Sequence, residues 1–322
     1  MTSGKGSLVL ARSPGSDDAP AISVQDLRMR YGDRDVLDGI TFAVGSGEVL
    51  ALLGPNGAGK STTIEILEGF RQRSAGEVSV LGVDPAGAGE SWRSDIGIVL
   101  QSWRDHGRWR VRDLLRHLGR FYVPFDDRER TRPRDADELI ELVGLTEHRD
   151  ARISTLSGGE RRRLDLAIGI IGRPRILFLD EPTAGLDPVA RRGFHDLVHD
   201  LADLEETTVL LATHDLDEAE KIADRILILD RGAIRAEGSP DQLVRQVAGR
   251  AEVRWSRAGE RFVHPSSDAT GFVRDLFRQY GEGIADLEVR RSSLEETYMA
   301  IVAARESGLT LTTIGDFEEA TP

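Results

Sequence analysis

The chain has 322 residues, which at about 150 residues per domain is enough for two domains or for one large domain with an appendage. Its 55 acidic and 42 basic side chains give a formal net charge of −13, which argues against a protein whose main task is to grip nucleic-acid backbones. The chain has no cysteine, so disulfides, thiolate zinc sites and thiol nucleophiles are excluded.

Residues 1–20 are rich in Gly, Ser, Asp and Pro, which predicts a flexible amino-terminal tail. This tail lacks the pattern of a secretory signal. No uninterrupted apolar stretch of the chain approaches the roughly 18 residues that a membrane-spanning helix needs. We therefore expect a cytoplasmic protein that does not itself cross a membrane.

From Ala21 onward, alternating apolar residues predict strands in AISVQDLRMRY and DVLDGITFAV, and the continuous apolar run of EVLALLG predicts a buried strand. The spacing becomes helical after Gly59, across STTIEILEGF, and returns to that of strands in GEVSVLG and DIGIVLQ. Arginines and acids dominate between about residues 103 and 160, where apolar residues recur at helical spacing. This segment is predicted to be a helical insertion.

Strands and helices then alternate through the rest of a unit that we place at residues 21–237. The pattern predicts strands in RILFLDEP, TTVLLAT and RILILD, with helices between them. Such alternation implies βαβ crossovers and a parallel sheet with right-handed connections. The segment 238–305 is too short for a large core of its own and is expected to lean on the first unit. Residues 306–322 predict a flexible acidic tail.

The segment GPNGAGKS, residues 54–61, fits the pattern G-x-x-x-x-G-K-[ST] of a phosphate-binding loop. Its glycines let backbone N–H groups approach phosphate oxygens, and the helix that follows offers its positive amino-terminal end. Lys60 would reach the β- and γ-phosphates, and the Ser61 hydroxyl would ligate magnesium. A plain glycine-rich turn is the alternative, but the match lies between a buried strand and a helix, as phosphate binding requires.

Acidic residues and a histidine end two of the later strands. Asp180 and Glu181 follow RILFL, and His214 follows TVLLAT, so all three are expected at the carboxyl edge of a parallel sheet, where ligands bind. Asp180 is suited to hold Mg²⁺, and Glu181 to orient and polarise an attacking water. Taken alone, the acidic pair also fits a strand end before a turn, and the histidine an ordinary strand-end residue.

Residues 156–160, LSGGE, followed by RRRLDLA, resemble the signature sequence of ATP-binding-cassette (ABC) ATPases. The order of the motifs is also similar to that family. It runs Tyr31, phosphate loop, Gln101, signature, Asp180-Glu181, Gly185-Leu186-Asp187 and His214. The resemblance implies an α/β fold of the P-loop ABC ATPase type, with a mainly parallel sheet, an antiparallel β subdomain, a helical subdomain and a small α+β carboxyl-terminal unit.

The resemblance also implies roles for single residues. Tyr31 would stack on adenine, Gln101 would sense magnesium and the γ-phosphate, and His214 would contact the γ-phosphate and position the water. The predicted ATP-binding residues are Tyr31, Gly54, Pro55, Asn56, Gly57, Ala58, Gly59, Lys60, Ser61, Thr62, Ser157, Gly158, Gly159 and Asp187. The predicted catalytic residues are Lys60, Gln101, Glu181 and His214, and the predicted magnesium ligands are Ser61, Gln101 and Asp180.

The family implies a head-to-tail homodimer in which Ser157 and Gly159 contact ATP bound by the opposite subunit, while Asp187 lies in the loop that crosses the interface. A chain with one cassette and no membrane span would need a separate transmembrane permease, and would lie peripherally on the inner face of the cell membrane. The segment SLEETYMAIVAA is similar to a helix of daunorubicin-resistance-type exporter ATPases, which favours export of a drug, lipid or polysaccharide. A solvated docking helix is the alternative.

Two features depart from the family pattern. Glu160 stands where the signature usually has glutamine, a change that should leave the serine and glycine contacts intact. The segment SWRDHGRWR, residues 102–110, is unusual, and lies where a membrane partner would dock unless it is a solvated loop.

Three other functions compete with that of a transporter ATPase. A soluble ABC ATPase could remodel a protein or nucleic-acid complex, but the chain has no room for long helical arms. A degenerate nucleotide sensor is disfavoured because Lys60, Asp180, Glu181 and His214 are all present. A P-loop kinase is disfavoured because the signature sequence has no role in its chemistry. We expect no direct contact with nucleic acid.

Overall fold

The computed structural model describes residues 19–99, 106–127, 130–248, 251–257, 260–266, 268–290, 293–296 and 298–299. Its strands are β1 Ile22–Tyr31, β2 Arg34–Val44, β3 Val49–Leu53, β4 Ala75–Val80, β5 Ile96–Val99, β6 Ile176–Asp180, β7 Thr208–Thr213, β8 Arg225–Asp230, β9 Ala233–Gly238, β10 Ala251–Arg257, β11 Glu260–Ser266 and β12 Ala285–Arg290. Its α-helices are α1 Lys60–Leu67, α2 Glu90–Ser94, α3 Val111–Gly119, α4 Ala136–Leu142, α5 Gly158–Ile170, α6 Pro188–Glu205, α7 Leu216–Ile222, α8 Pro240–Ala248 and α9 Ala269–Tyr280. The predicted tails lie almost wholly outside the described residues.

The central sheet has six strands in the order β5-β6-β7-β3-β8-β9. The pairs from β5 to β8 are all parallel, and only β9 runs antiparallel to its neighbour. Strand β3 is buried along its whole length because its two faces serve two different cores. Val49, Ala51 and Leu53 face one core, and Leu50 and Leu52 face the other. The continuous apolar runs of the sequence therefore correspond to parallel strands that are buried on both faces of the sheet.

The two layers beside this sheet differ in kind. On one side, an antiparallel sheet in the order β2-β1-β4 packs with α1 and α2 around residues such as Leu27 and Ile66. On the other side, helices α3 to α7 bury residues such as Leu114, Leu166 and Phe194. The parallel sheet, the antiparallel β subdomain and the helical insertion were all predicted.

The carboxyl-terminal segment forms an antiparallel sheet in the order β11-β10-β12. Helix α9 covers one face of it, where Phe272 stacks on His264 with ring centroids 4.0 Å apart. Leu243 of α8 and Leu294 are fully buried in the core that the helical layer shares with the central sheet. The unit therefore leans on the main core, as its short length predicted.

Two edge strands lie in segments where the sequence showed no strand pattern. Strand β9, AIRAEG, lies at the edge of the central sheet, and β11, ERFVHPS, lies at the edge of the small one. Edge strands carry charged residues and proline, which blur the alternation of apolar side chains on which the predictions rest. Among the described helices, none has the length and apolar character needed to cross a bilayer.

Candidate functional site

A cavity of ≈ 340 Å³ opens at the carboxyl edge of the central sheet. It is lined by Tyr31, Arg34, Val36, Asn56, Gly57, Gly59, Lys60, Ser61, Thr62, Glu181 and His214. The antiparallel sheet contributes the first three of these residues, the β3–α1 loop and the first turn of α1 the next six, and the ends of β6 and β7 the last two. The fold thus brings together residues from four separate predicted motifs.

The β3–α1 loop takes a conformation that depends on glycine. At Gly54 a side chain would collide with the carbonyl oxygen of Leu229, and at Gly59 the backbone is left-handed, with φ 111°. The loop is also tied to the β8–β9 turn, since the N–H of Gly232 donates to the Ala58 carbonyl at 2.9 Å. At both ends of the predicted phosphate loop, the structure therefore requires glycine for steric reasons.

Lys60 lies at the centre of the cavity. Its side chain is nearly buried, and its Nζ donates to the carbonyl of Gly54 at 2.7 Å and to that of Pro55 at 3.3 Å. The same nitrogen lies 3.6 Å from Oε1 of Glu181. Burial lowers the pKa of Lys60, and the neighbouring carboxylate of Glu181 opposes this shift. The ammonium group is thus held between the loop carbonyls and an acidic side chain.

Glu181 follows β6 in a backbone conformation that non-glycine residues rarely adopt, with φ 48°. It is buried, with 8% of its surface exposed. Its Oε2 lies 2.6 Å from Nδ1 of His214, while its N–H donates to the Ala212 carbonyl at 2.9 Å. Strained backbone of this kind costs of the order of 1–3 kcal/mol and clusters at functional sites. The carboxylate is therefore fixed between a cation and an imidazole.

Asp180 has a buried carboxylate oxygen, Oδ1, without a hydrogen-bond partner among the described residues. Burial raises the pKa of Asp180, although a hydrogen bond from Ser61 acts in the opposite direction. No described group of three His, Asp or Glu side chains is arranged to hold a metal ion. One carboxylate and one hydroxyl nevertheless fit Mg²⁺, which usually binds one or two protein carboxylates together with substrate phosphates.

The signature residues lie outside this cavity, at the start of α5. Ser157 is the N-cap, and its hydroxyl accepts from the N–H of Glu160 at 3.3 Å while its own N–H donates to Glu160 Oε2 at 2.8 Å. This reciprocal pair is a capping box, in which glutamate serves as well as glutamine. Asp187 caps α6 in a similar way, through the N–H groups of Val189 and Ala190. Both helix starts are exposed, and side chains of the same segment already cap their backbone N–H groups.

Known proteins resemble this chain in sequence. A model of the ABC transporter family matches residues 37–184. The Nod factor export ATP-binding protein I of Neorhizobium galegae is 41% identical over 238 residues, which cover 73% of this chain and 67% of that protein. The daunorubicin resistance ATP-binding protein DrrA2 of Streptomyces coeruleorubidus is 35% identical over 315 residues, covering 89% of this chain and 97% of that protein. The chain belongs to the ABC transporter family.

Solved structures show the same fold. One ATP-binding subunit of an ABC transporter covers 88% of this chain and 99% of its own, with a TM-score of 0.63 and 24% identity. The ADP conformation of the ATP-binding cassette MJ1267 covers 71% of this chain and 95% of its own, with a TM-score of 0.62 and 23% identity. The predicted ABC ATPase fold is confirmed, and the chain is the ATP-hydrolysing type of subunit in this family.

Not every predicted residue of this ABC ATPase can be placed. Gln101 lies outside the described residues. Tyr31 does line the cavity, with the guanidinium of Arg71 lying 5.2 Å from its ring centroid. Arg34 and Val36 line it too and were missed. They follow Tyr31 across a tight hairpin, Gly32-Asp33, and that turn signal was available in the sequence.

Proposed function

We propose that this chain hydrolyses ATP as a homodimer and powers export through a separate transmembrane permease. The relatives named for Nod factor export and daunorubicin resistance support export, with a drug, lipid or polysaccharide as the transported class. Attachment to a permease would hold the chain peripherally on the inner face of the cell membrane. The arrangement of Lys60, Glu181 and His214 in one cavity carries the proposal.

ATP binding would use the β3–α1 loop and Tyr31. The N–H groups of the loop and the start of α1 form an anion-binding end next to Lys60, whose ammonium would turn from the Gly54 carbonyl towards the phosphates. Tyr31, at the outer wall of the cavity, offers a ring on which adenine would stack. This part of the site is complete within one chain.

Hydrolysis would depend on the carboxylate of Glu181. Held by Lys60 at 3.6 Å and His214 at 2.6 Å, it would accept a hydrogen bond from the attacking water and orient it. His214 would contact the γ-phosphate and help to position the water. Ser61 and Asp180 would hold Mg²⁺, with Gln101 as a predicted third ligand. The ion would supply positive charge to the β- and γ-phosphate oxygens.

A second copy of the chain would complete the site. Helix α5 begins at an exposed site formed by Ser157, Gly158 and Gly159, and the N–H groups at this end suit a phosphate. These residues do not line the cavity of their own chain. Val189, two residues after Asp187, exposes 69% of its surface, which a dimer interface at this helix start would cover. These features support a head-to-tail dimer.

The permease would dock on the helical layer. An aromatic row lies there, in which His117 has ring centroids 5.0 Å from Trp109 and 5.7 Å from Phe121. Phe121 exposes 64% of its surface and the nearby Val123 exposes 55%. Exposed apolar side chains grouped in a highly charged chain fit a protein partner. Trp109 belongs to the unusual segment 102–110, of which residues 102–105 lie outside the described part.

The test is ATP turnover of the purified chain beside Glu181→Gln, with light scattering to follow dimerisation with and without ATP and Mg²⁺. We expect the substitution to lower turnover by about 10²–10⁴-fold, because a neutral amide polarises the water far less than a carboxylate and cannot take its proton, and to trap an ATP-bound dimer. Glu77→Gln, on the exposed face of β4, is the matched control and should leave both readouts unchanged. A parent chain that binds ATP but neither hydrolyses it nor dimerises would contradict the proposal.

A further inference from the structure

The backbone that carries Glu181 is held by an arginine from the signature helix α5. Arg162 is buried, with 6% of its surface exposed. Its Nε donates to the Pro182 carbonyl, and its Nη2 lies 3.2 Å from the carbonyl oxygens of both Asp180 and Glu181. One guanidinium group therefore binds the carbonyls of three consecutive residues at the end of β6.

These contacts matter because the Glu181 backbone is strained. A left-handed conformation in a non-glycine residue persists only where its surroundings hold it. The N–H of Glu181 is held by the Ala212 carbonyl of β7, and its carbonyl is held by Arg162. The planar guanidinium presents its donors in a rigid fork, which a lysine ammonium cannot reproduce. Arg162 thus contributes to the direction in which the Glu181 carboxylate points.

The charge of Arg162 is balanced inside the protein. Its Nη1 lies 3.9 Å from Oδ2 of Asp165, one turn further along α5. Burial lowers the pKa of Arg162, and the negative charges of Asp165, Glu218 and Asp180 oppose this. A buried arginine of this kind is costly unless its hydrogen bonds are made, so losing the contacts to the β6 end would destabilise the fold.

Arg162 also lies close to the part of α5 that a second copy would reach. It lies five positions after Ser157, which is about 7–8 Å along one helix. We propose that Arg162 is a positioning residue for Glu181, and that it links the signature end of α5 to the catalytic carboxylate of the same chain. The inference rests on the proposed function. ATP held by Ser157 in the second copy's cavity would then influence hydrolysis in the chain's own cavity.

The experiment compares Arg162→Lys with the parent in steady-state ATP hydrolysis. Lysine keeps the charge but cannot span three carbonyls. We expect kcat to fall by about tenfold or more while KM for ATP changes by less than about threefold, because the β3–α1 loop and Lys60 are untouched. We also expect any cooperativity in ATP to weaken, with the Hill coefficient falling towards one.

Arg163→Lys is the matched control. Arg163 lies next to Arg162 on α5, but its Nη1 points to the Gly144 carbonyl at 3.4 Å, in the helical layer. Parent-like turnover is expected for this variant. Arg162→Gln, which retains one donor group, is measured beside Arg162→Lys, so that the idea is tested even where one of the two variants is poorly folded.

The outcomes separate positioning from a structural role. In a Glu181→Gln background, Arg162→Lys should still form the ATP-trapped dimer and unfold at a temperature close to that of the parent. A parent-like kcat in both Arg162 variants overturns the inference. Equal losses of ATP binding, dimer trapping and thermal stability also overturn it, since they indicate a general loss of structure. A parent that does not hydrolyse ATP contradicts the proposed function itself, and this is seen before any variant is compared.

Discussion

The predicted site residues form two sets that are built in opposite ways. Around the cavity, Lys60 and Glu181 are buried, ion-paired and, at Glu181, strained. At the starts of α5 and α6, Ser157 and Asp187 are exposed, and their side chains are already used as helix caps. The first set costs free energy of folding and is arranged before ATP arrives. The second is stable by itself and, in the proposed function, acts only on ATP bound by a second copy.

The capping box at Ser157 is a common local structure, and the chain forms it at other helix starts. Ser239 and Gln242 form the same capping box at the start of α8, as do Ser293 and Glu296 further on. Three S-x-x-E/Q segments therefore make the same local structure. What distinguishes Ser157 is the pair of glycines that follows it and the surface on which its helix begins.

The largest effect is expected from Lys60→Met. This substitution removes the cation that is proposed to bind phosphate and leaves the Glu181 carboxylate buried beside an apolar side chain. We expect turnover to fall by about 10²–10³-fold, and ATP binding to weaken by about 1.5–3 kcal/mol, the usual contribution of a hydrogen bond to a charged group. Turnover assays and equilibrium titration with ATP measure the two effects.

Lys221→Met is the control for Lys60→Met, because Lys221 is exposed on α7 and lies outside the cavity. Its turnover should equal that of the parent. If the two lysine variants lose activity alike, the loss in Lys60→Met is not specific to the cavity, and the contrast between the cavity and the helix starts is wrong.

A smaller and more selective effect is expected from Ser157→Ala. The variant loses one N-cap, which costs about 0.5–2 kcal/mol of stability, and one predicted donor to the ATP of the second copy. Turnover should fall by about tenfold, while ATP affinity of the single chain should stay the same, because Ser157 does not line its own cavity.

Ser239→Ala removes an equivalent cap from α8 and serves as the control for Ser157→Ala. Both variants should lose similar thermal stability, but only Ser157→Ala should lose turnover. Equal turnover in the two would mean that the signature serine is a helix cap and nothing more.

The smallest effect concerns Glu68, a further buried carboxyl at the end of α1 with 5% of its surface exposed. Burial raises the pKa of Glu68 to about 8 from its usual 4.5, and the charges of Asp180 and Glu65 add to this. Between pH 4.5 and about 8, the folded chain therefore keeps a proton on Glu68 that the unfolded chain has already released. Stability is lost across that interval as pH rises.

Glu68→Gln should remove this pH dependence. We expect the variant to melt several degrees above the parent at pH 8.5 and close to the parent at pH 5. Melting curves in the absence of nucleotide provide the measurement, with the exposed Glu77→Gln as control. A constant difference at both pH values would show that ionisation of Glu68 is not the cause.

Much of the fold could be read from local patterns. Continuous apolar runs marked β3, β6, β7 and β8, and the G-x-x-x-x-G-K-S pattern marked the β3–α1 loop. The strands β9 and β11 escaped because their side chains follow no clean alternation. Arg34 and Val36 escaped because a hairpin that was not considered folds them onto the cavity. The roles of all the predicted site residues, including Gln101, Ser157 and Asp187, stay predictions.

By itself, the sequence determined the order of strands and helices, the phosphate loop, the acidic strand end and the family, since periodicity and short motifs are local properties of a chain. Tertiary structure alone decided which charges are buried and what holds them. Lys60 meets Glu181 across 121 residues, and Arg162 meets the carbonyls of Asp180, Glu181 and Pro182, because separate strands and helices converge at one sheet edge. Desolvation and backbone strain arise only from that convergence, so no local pattern records them.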